Sequence, residues 1–134
     1  MARRFHFPLE TLLRVRQLHE REAKRKVATQ RAEIARTEHL IVQTADEITR
    51  QQHELLTGQQ EGRLDPLTLQ RGRAWIGHLR QSLARQQTQR TEQVERLREL
   101  QAALRAARTQ ARIIEKLRER RWQEYVHDRD RRAQ

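Results

Sequence analysis

The sequence predicts an all-α fold in which two long helices form an antiparallel coiled-coil hairpin, helix 2 being the longer. Ala, Glu, Lys, Leu and Arg make up 73 of the 134 residues, the bias of long helices and coiled coils. Apolar residues recur every seven positions along two extended stretches. The only cluster of helix breakers, Gly58-Gln-Gln-Glu-Gly62-Arg-Leu-Asp65-Pro66, lies between those stretches. Only 29 residues are Leu, Ile, Val or Phe, too few to fill a wide globular core. High charge with low apolar content would also suit a disordered chain, so the periodicity decides for helix. Residues 1–134 then form a single hairpin.

Helix 1 is expected over about residues 8–57, opening on Pro8, an allowed first-turn proline. Its seam reads Leu13, Glu20, Val27, Ile34, Ile41, Ile48 and Leu55, with Glu20 the one charged gap. The companion positions are small or polar: Ala23, Gln30, Thr37, Thr44 and Gln51. This is a narrow coiled-coil seam, not the wide stripe of a globular helix. Gly58 suits the stop of this helix. The loop is expected over about 58–65, where Asp65 followed by Pro66 reads as a helix start, a capping carboxylate before a residue that needs no N–H donor.

Helix 2 is expected over about residues 66–131. One register reads Ile76, Leu83, Arg90, Leu97, Leu104 and Ala111; the other reads Leu79, Gln86, Gln93, Leu100, Ala107 and Ile114. Sustained seven-residue repeats support a left-handed supercoil. A short connection favours antiparallel neighbours, pairing Ile48 with Ile76. At 1.5 Å per residue helix 1 spans roughly 70 Å and helix 2 about 100 Å, so the C-terminal end of helix 2 is expected to overhang. Arg90 and the glutamines around it make the middle of the seam polar, where weak packing is expected. Such residues either fix register or simply occupy a solvated stretch.

The net charge of +11 is unevenly spread: residues 1–36 carry ten basic against four acidic side chains, 37–107 ten against nine, and 108–134 nine against five. Folding the chain once brings the first and last segments to one end, where ten of the eleven excess charges collect. Such an end is drawn to an acidic site. A protein with an acidic pore or ring fits. A basic coiled-coil nucleic-acid binder is the alternative, although zinc-finger spacing, an aromatic platform and a zipper-type basic region are all missing. Glu115, Glu119, Glu124, Asp128 and Asp130 also interleave with the C-terminal arginines. A third reading is a solvated helix face laced with i,i+4 pairs.

Catalysis has little support. The six histidines are widely separated, with no HExxH pair, P-loop or nucleophile elbow, so no catalytic, cofactor or metal residue is expected and the chain reads as a non-enzyme. There is no Cys and no membrane-length apolar run, which makes the cytoplasm the default. Trp75, Trp122 and Tyr125 stand out instead, because two helices alone cannot bury a large ring completely. Each is a candidate partner contact. Seam packing competes for Trp75, and for the other two the competing reading is that Phe5 and Phe7 fold back over them.

These residues resemble a known family. Phe5-x-Phe7-Pro8-Leu9-Glu10-Thr11-Leu12-Leu13-x-x-Arg16, followed by Glu20 and Ala23, looks like the opening of flagellar FliJ proteins. Trp75…Leu79 and the C-terminal Glu115-Lys116-Leu117-Arg118-Glu119-Arg120-Arg121…Glu124-Tyr125 continue the match. The acidic Asp-Glu element that usually follows in the family is not found before Gln134. The resemblance implies a non-enzymatic stalk of the flagellar type III protein export apparatus, similar to the central stalk of rotary ATPases. It would insert its basic terminal end into the hexameric export ATPase, promote ring assembly and activity, link the ring to the membrane export gate and escort export chaperones. The implied location is cytoplasmic, peripheral to the inner membrane at the flagellar base. Carried over by position, the ring contact would comprise Leu9, Leu13, Arg16, Leu117, Arg118, Arg121 and Tyr125, and the gate contact Trp75 and Leu79. The homologous stalk of a virulence type III secretion system is the neighbouring alternative.

Overall fold

The computed structural model describes residues 4–134. It holds two helices, α1 (Glu10–Gln60, 51 residues) and α2 (Pro66–Ala133, 68 residues), which pack antiparallel as a hairpin. Helix α2 is the longer, and no strand occurs among the described residues. The chain divides into two compact units: a termini unit, Met1–Thr29 with Arg98–Gln134, and a loop unit, Gln30–Leu97.

The start of α1 is set by Phe7, whose carbonyl accepts the Glu10 N–H at 3.1 Å. Glu10 then places a carboxylate in the first turn, where the helix dipole favours it. At the other end the stop differs from the one expected at Gly58. Helix α1 continues through Gly58 to Gln60, and the residue that leaves the helix is Gly62, at φ +68°. The Arg63 N–H reaches the Gly58 carbonyl at 3.0 Å and the Gly62 N–H reaches Gln59 at 3.1 Å, the paired bonds of a Schellman stop. Gly58 serves differently: a Cβ there would lie 2.8 Å from Leu64 Cγ, so its bare backbone admits the leucine that closes the turn. Asp65 caps α2, its Oδ1 accepting the Thr68 N–H at 2.7 Å.

In the loop unit Ile48, Ile76 and Leu79 form the buried cluster, with Leu55 and Leu83 packed against it. A Cβ at Gly72 would meet Leu55 Cδ2 at 2.5 Å; the glycine lets the helices close on that leucine. Further along the same unit the seam becomes polar. Thr37 is buried and donates to the Glu33 carbonyl at 3.2 Å, and Gln30 Nε2 donates to the Gln93 carbonyl at 3.0 Å. The Oε1 atoms of Gln86 and Gln93 are buried without a hydrogen-bond partner. Arg90 is exposed and sends its Nε to Glu38 Oε1, 3.1 Å away, so the charged gap of helix 2 resolves outside the seam.

In the termini unit Leu13, Val27, Leu104 and Ala111 are buried. The charged gap of helix 1 is bridged across the pair: Glu20 Oε1 lies 3.6 Å from Arg108 Nε. Arg16 Nη1 donates to Gln110 Oε1 at 2.7 Å, and Gln17 Nε2 to Glu115 Oε1 at 3.4 Å.

Candidate functional site

Helix α2 continues beyond the level at which α1 begins, and the N-terminal segment covers part of that continuation. Phe7 is buried. The Phe5 ring sits edge-on to Trp122 with centroids 5.1 Å apart and an interplanar angle of 80°, and lies 5.6 Å from Tyr125. Trp122 and Tyr125 are themselves 5.6 Å apart. Rings in such edge and tilted arrangements gain beyond their area of contact. The competing reading for these two rings is therefore the one observed for Phe5: residues before α1 fold back as a strap along the overhang of α2.

Arg118 holds the strap. Its Nε donates to Glu10 Oε2 at 2.9 Å, and its guanidinium carbon lies 5.5 Å from the Phe5 centroid, a cation–π distance. The residues expected at the ring contact thus divide. Leu13 is 5 % exposed and belongs to the seam; Leu117 is half-buried. Arg16 is engaged with Gln110 and Arg118 with the strap. Leu9 and Arg121 face solvent, Arg121 lying 3.4 Å from the nearby Glu124. Tyr125 is half-buried under Phe5, and Trp122 remains 43 % exposed.

The two residues expected at the gate contact also part. Leu79 is 9 % exposed, inside the Ile48 cluster, whereas Trp75 is 44 % exposed and stacks on His78 with centroids 5.4 Å apart. Leu79 lies three residues from Ile76 on the seam face, and Trp75 one residue to its side. A partner arriving at this surface meets the indole.

Beside the aromatic group lies an open cleft of about 570 Å³, with Arg4, Phe5, Tyr125, Arg129 and Arg132 on its walls. Sequence reasoning did not assemble these residues. Arg4 and Arg132 lie 128 positions apart, and only the strap brings them together. The one available signal was the Phe5-x-Phe7 pair together with the helical spacing of Trp122 and Tyr125.

Charge separates between the two units. The termini unit carries nineteen Lys and Arg against nine acidic residues, net +10; the loop unit carries ten against nine, net +1. Much local charge is paired within one helix. The Arg25 guanidinium hydrogen-bonds the Glu22 carboxylate at 2.7 Å, holding that carboxyl below its ordinary value, while the carboxylate raises Arg25 in turn. Among the described residues no three His, Cys, Asp or Glu side chains gather as a metal site, and no helix is long and apolar enough to cross a membrane.

Residues 5–134 match the family described as Flagellar FliJ protein. No curated protein and no solved structure matches the chain. With a match that spans essentially the whole sequence, the chain belongs to the FliJ family, helical components of the flagellar protein export apparatus.

Proposed function

We propose that this protein is the stalk that engages the hexameric flagellar export ATPase through its termini unit. The carrying observation is the net +10 of that unit against +1 in the loop unit, which favours attraction of one unit, not both, to an acidic pore. Arg121 and Leu9 supply outward-facing contacts, while Leu13, Arg16, Leu117 and Arg118 stiffen the surface beneath them. Tyr125 contributes the exposed margin of its ring. One hairpin cannot match six subunits at once, so its contacts bias the nucleotide state of one subunit over the others. In this way the stalk promotes ring assembly and hydrolysis and couples both to the membrane export gate.

Trp75 is the proposed gate contact, with Leu79 buttressing it from the seam, and export chaperones are the further partners. The protein would work in the cytoplasm at the inner-membrane face of the flagellar base. It acts without catalysing a reaction itself. The family match favours the flagellar apparatus over a virulence one.

The test is a pull-down with the export ATPase, with hydrolysis followed as a function of stalk concentration. Reversing Arg121 and Arg129 to Glu should weaken capture and lower stimulation. Both residues are exposed, so the fold is retained. Unchanged capture and unchanged stimulation would overturn the proposal. Arg118 is unsuitable for the reversal, because its loss also releases Glu10 and Phe5.

A further inference from the structure

We infer that the cleft between the N-terminal strap and the last turns of α2 is a peptide-binding site. It would take a short acidic segment that carries an apolar or aromatic residue. This deepens the stalk reading and rests on it for the identity of the protein that bears the segment, but the site itself stands on its own geometry.

The cleft, at about 570 Å³, lies within the size range of built ligand sites. Its floor is aromatic: Phe5 and Tyr125 lie 5.6 Å apart, and each leaves part of its ring unburied. An apolar side chain entering here would cover ring surface that the chain itself leaves wet. Its rim carries four guanidiniums, Arg4, Arg121, Arg129 and Arg132, against two carboxylates, Glu124 and Asp128. Arg121 already contacts Glu124 at 3.4 Å and Arg129 lies 3.7 Å from Asp130, so the excess positive charge rests on Arg4 and Arg132.

That pattern selects among anions. A continuous phosphate backbone or an anionic lipid layer needs an unbroken positive face, and Glu124 and Asp128 interrupt it. Separate peptide carboxylates can instead each take one guanidinium fork, spaced around the two protein carboxylates. The apolar floor adds a requirement that a polyphosphate cannot meet. Charge complementarity at the rim and a hydrophobic anchor at the floor are together the usual form of a small recognition site.

The test uses the full chain and fluorescein-labelled octapeptides, read by anisotropy. The first probe carries four Asp or Glu residues around a central Leu-Phe pair. The second replaces the acids by their amides, and the third replaces Leu-Phe by Ser-Ser. The first should bind, and the other two should bind about tenfold more weakly. The double variant Arg4→Gln, Arg132→Gln, both exposed positions, should lose about tenfold for the first probe with unchanged far-UV circular dichroism. Phe5→Leu, which keeps the strap apolar, should weaken the first probe but not change the ratio between the first and second. Equal binding of the first and second probes, or of the first and third, would overturn the site. So would an unaffected double variant, or tighter competition by oligothymidine or phosphatidylglycerol vesicles. ATPase capture measured in parallel separates the two readings. Capture without peptide binding overturns the cleft and leaves the stalk; peptide binding without capture supports the cleft and overturns the stalk reading.

Discussion

Arg118 Nε donates to Glu10 Oε2 at 2.9 Å across 108 residues of sequence, and the same guanidinium covers the Phe5 ring. One side chain thereby ties the first turn of α1 and the strap before it to the far part of α2. The pair is a little under half exposed on both sides, so its direct contribution to stability is small, on the order of 0.5 kcal/mol. Its larger effect is positional. Arg118→Gln should free the strap while the helices remain, read as faster proteolysis before Glu10 and a changed Trp122 emission. A double-mutant cycle with Glu10→Gln should give a coupling of about 0.5 kcal/mol. Retained protection of residues 4–9 in Arg118→Gln would remove the latch.

The buried Oε1 atoms of Gln86 and Gln93 have no partner, and an unmatched buried polar group costs about 1–3 kcal/mol. Gln86→Leu with Gln93→Leu should therefore stabilise the loop unit, by roughly 1 kcal/mol or more, with slower amide exchange over the adjoining turns. Thermal unfolding and hydrogen exchange provide the measurement. By contrast, Ile48→Ala in the apolar cluster of the same unit should destabilise by about 2–4 kcal/mol. A double variant no more stable than the parent would mean that water or a partner already satisfies these oxygens.

The seam residues of this fold were legible because burial at every seventh position writes itself into composition: Val27, Ile34 and Ile48 are buried where the repeat puts them. The polar stretch at Gln86 and Gln93 was legible for the same reason. The helix stop was not. Two glycines, Gly58 and Gly62, could each have ended α1, and the sign of φ that distinguishes them is a property of the folded turn. Arg118 was also opaque. The sequence marks it as basic and near the end of α2, but its engagement by Glu10 and Phe5 depends on a strap that folds back across the whole chain. Leu79 and Trp75 form a middle case. The family resemblance put them at one contact, yet the position three from Ile76 turns into the cluster and the position beside it turns out.

Gly62 is the residue whose backbone the fold cannot replace cheaply. At φ +68° a side chain is strained, although a Cβ there would meet nothing within 4 Å. Gly62→Ala should cost about 1 kcal/mol through backbone strain alone, and Gly62→Asn less, since asparagine tolerates the left-handed region. At Gly58 the order of effects reverses: φ is helical, and the cost of Gly58→Ala comes from Leu64. Pairing Gly58→Ala with Leu64→Ala should recover part of the loss, whereas Gly62→Ala should gain nothing from Leu64→Ala. Urea unfolding of these variants, with Leu64→Ala alone as the reference, checks this. Equal rescue in both backgrounds would contradict the division between steric and backbone causes.

Asp65 links the start of α2 to pH. The Thr68 N–H donates to its carboxylate, and that backbone bond, reinforced by the Thr68 side chain and Leu67, holds the carboxyl below its ordinary value of 3.8. A carboxyl depressed in the folded state contributes stability above its unfolded pKa, and that contribution is lost as pH falls through the folded value. Helix α2 should therefore keep its first turn from neutral pH down to the usual carboxylate range and fray below it. Amide exchange at Leu67, Thr68 and Leu69 reports the fraying. Asp65→Asn retains a capping oxygen without the titration, so its first turn should stay protected at acid pH, where the parent frays. Asp65→Ala should fray at every pH. Identical acid fraying of parent and Asp65→Asn would assign the transition to another group.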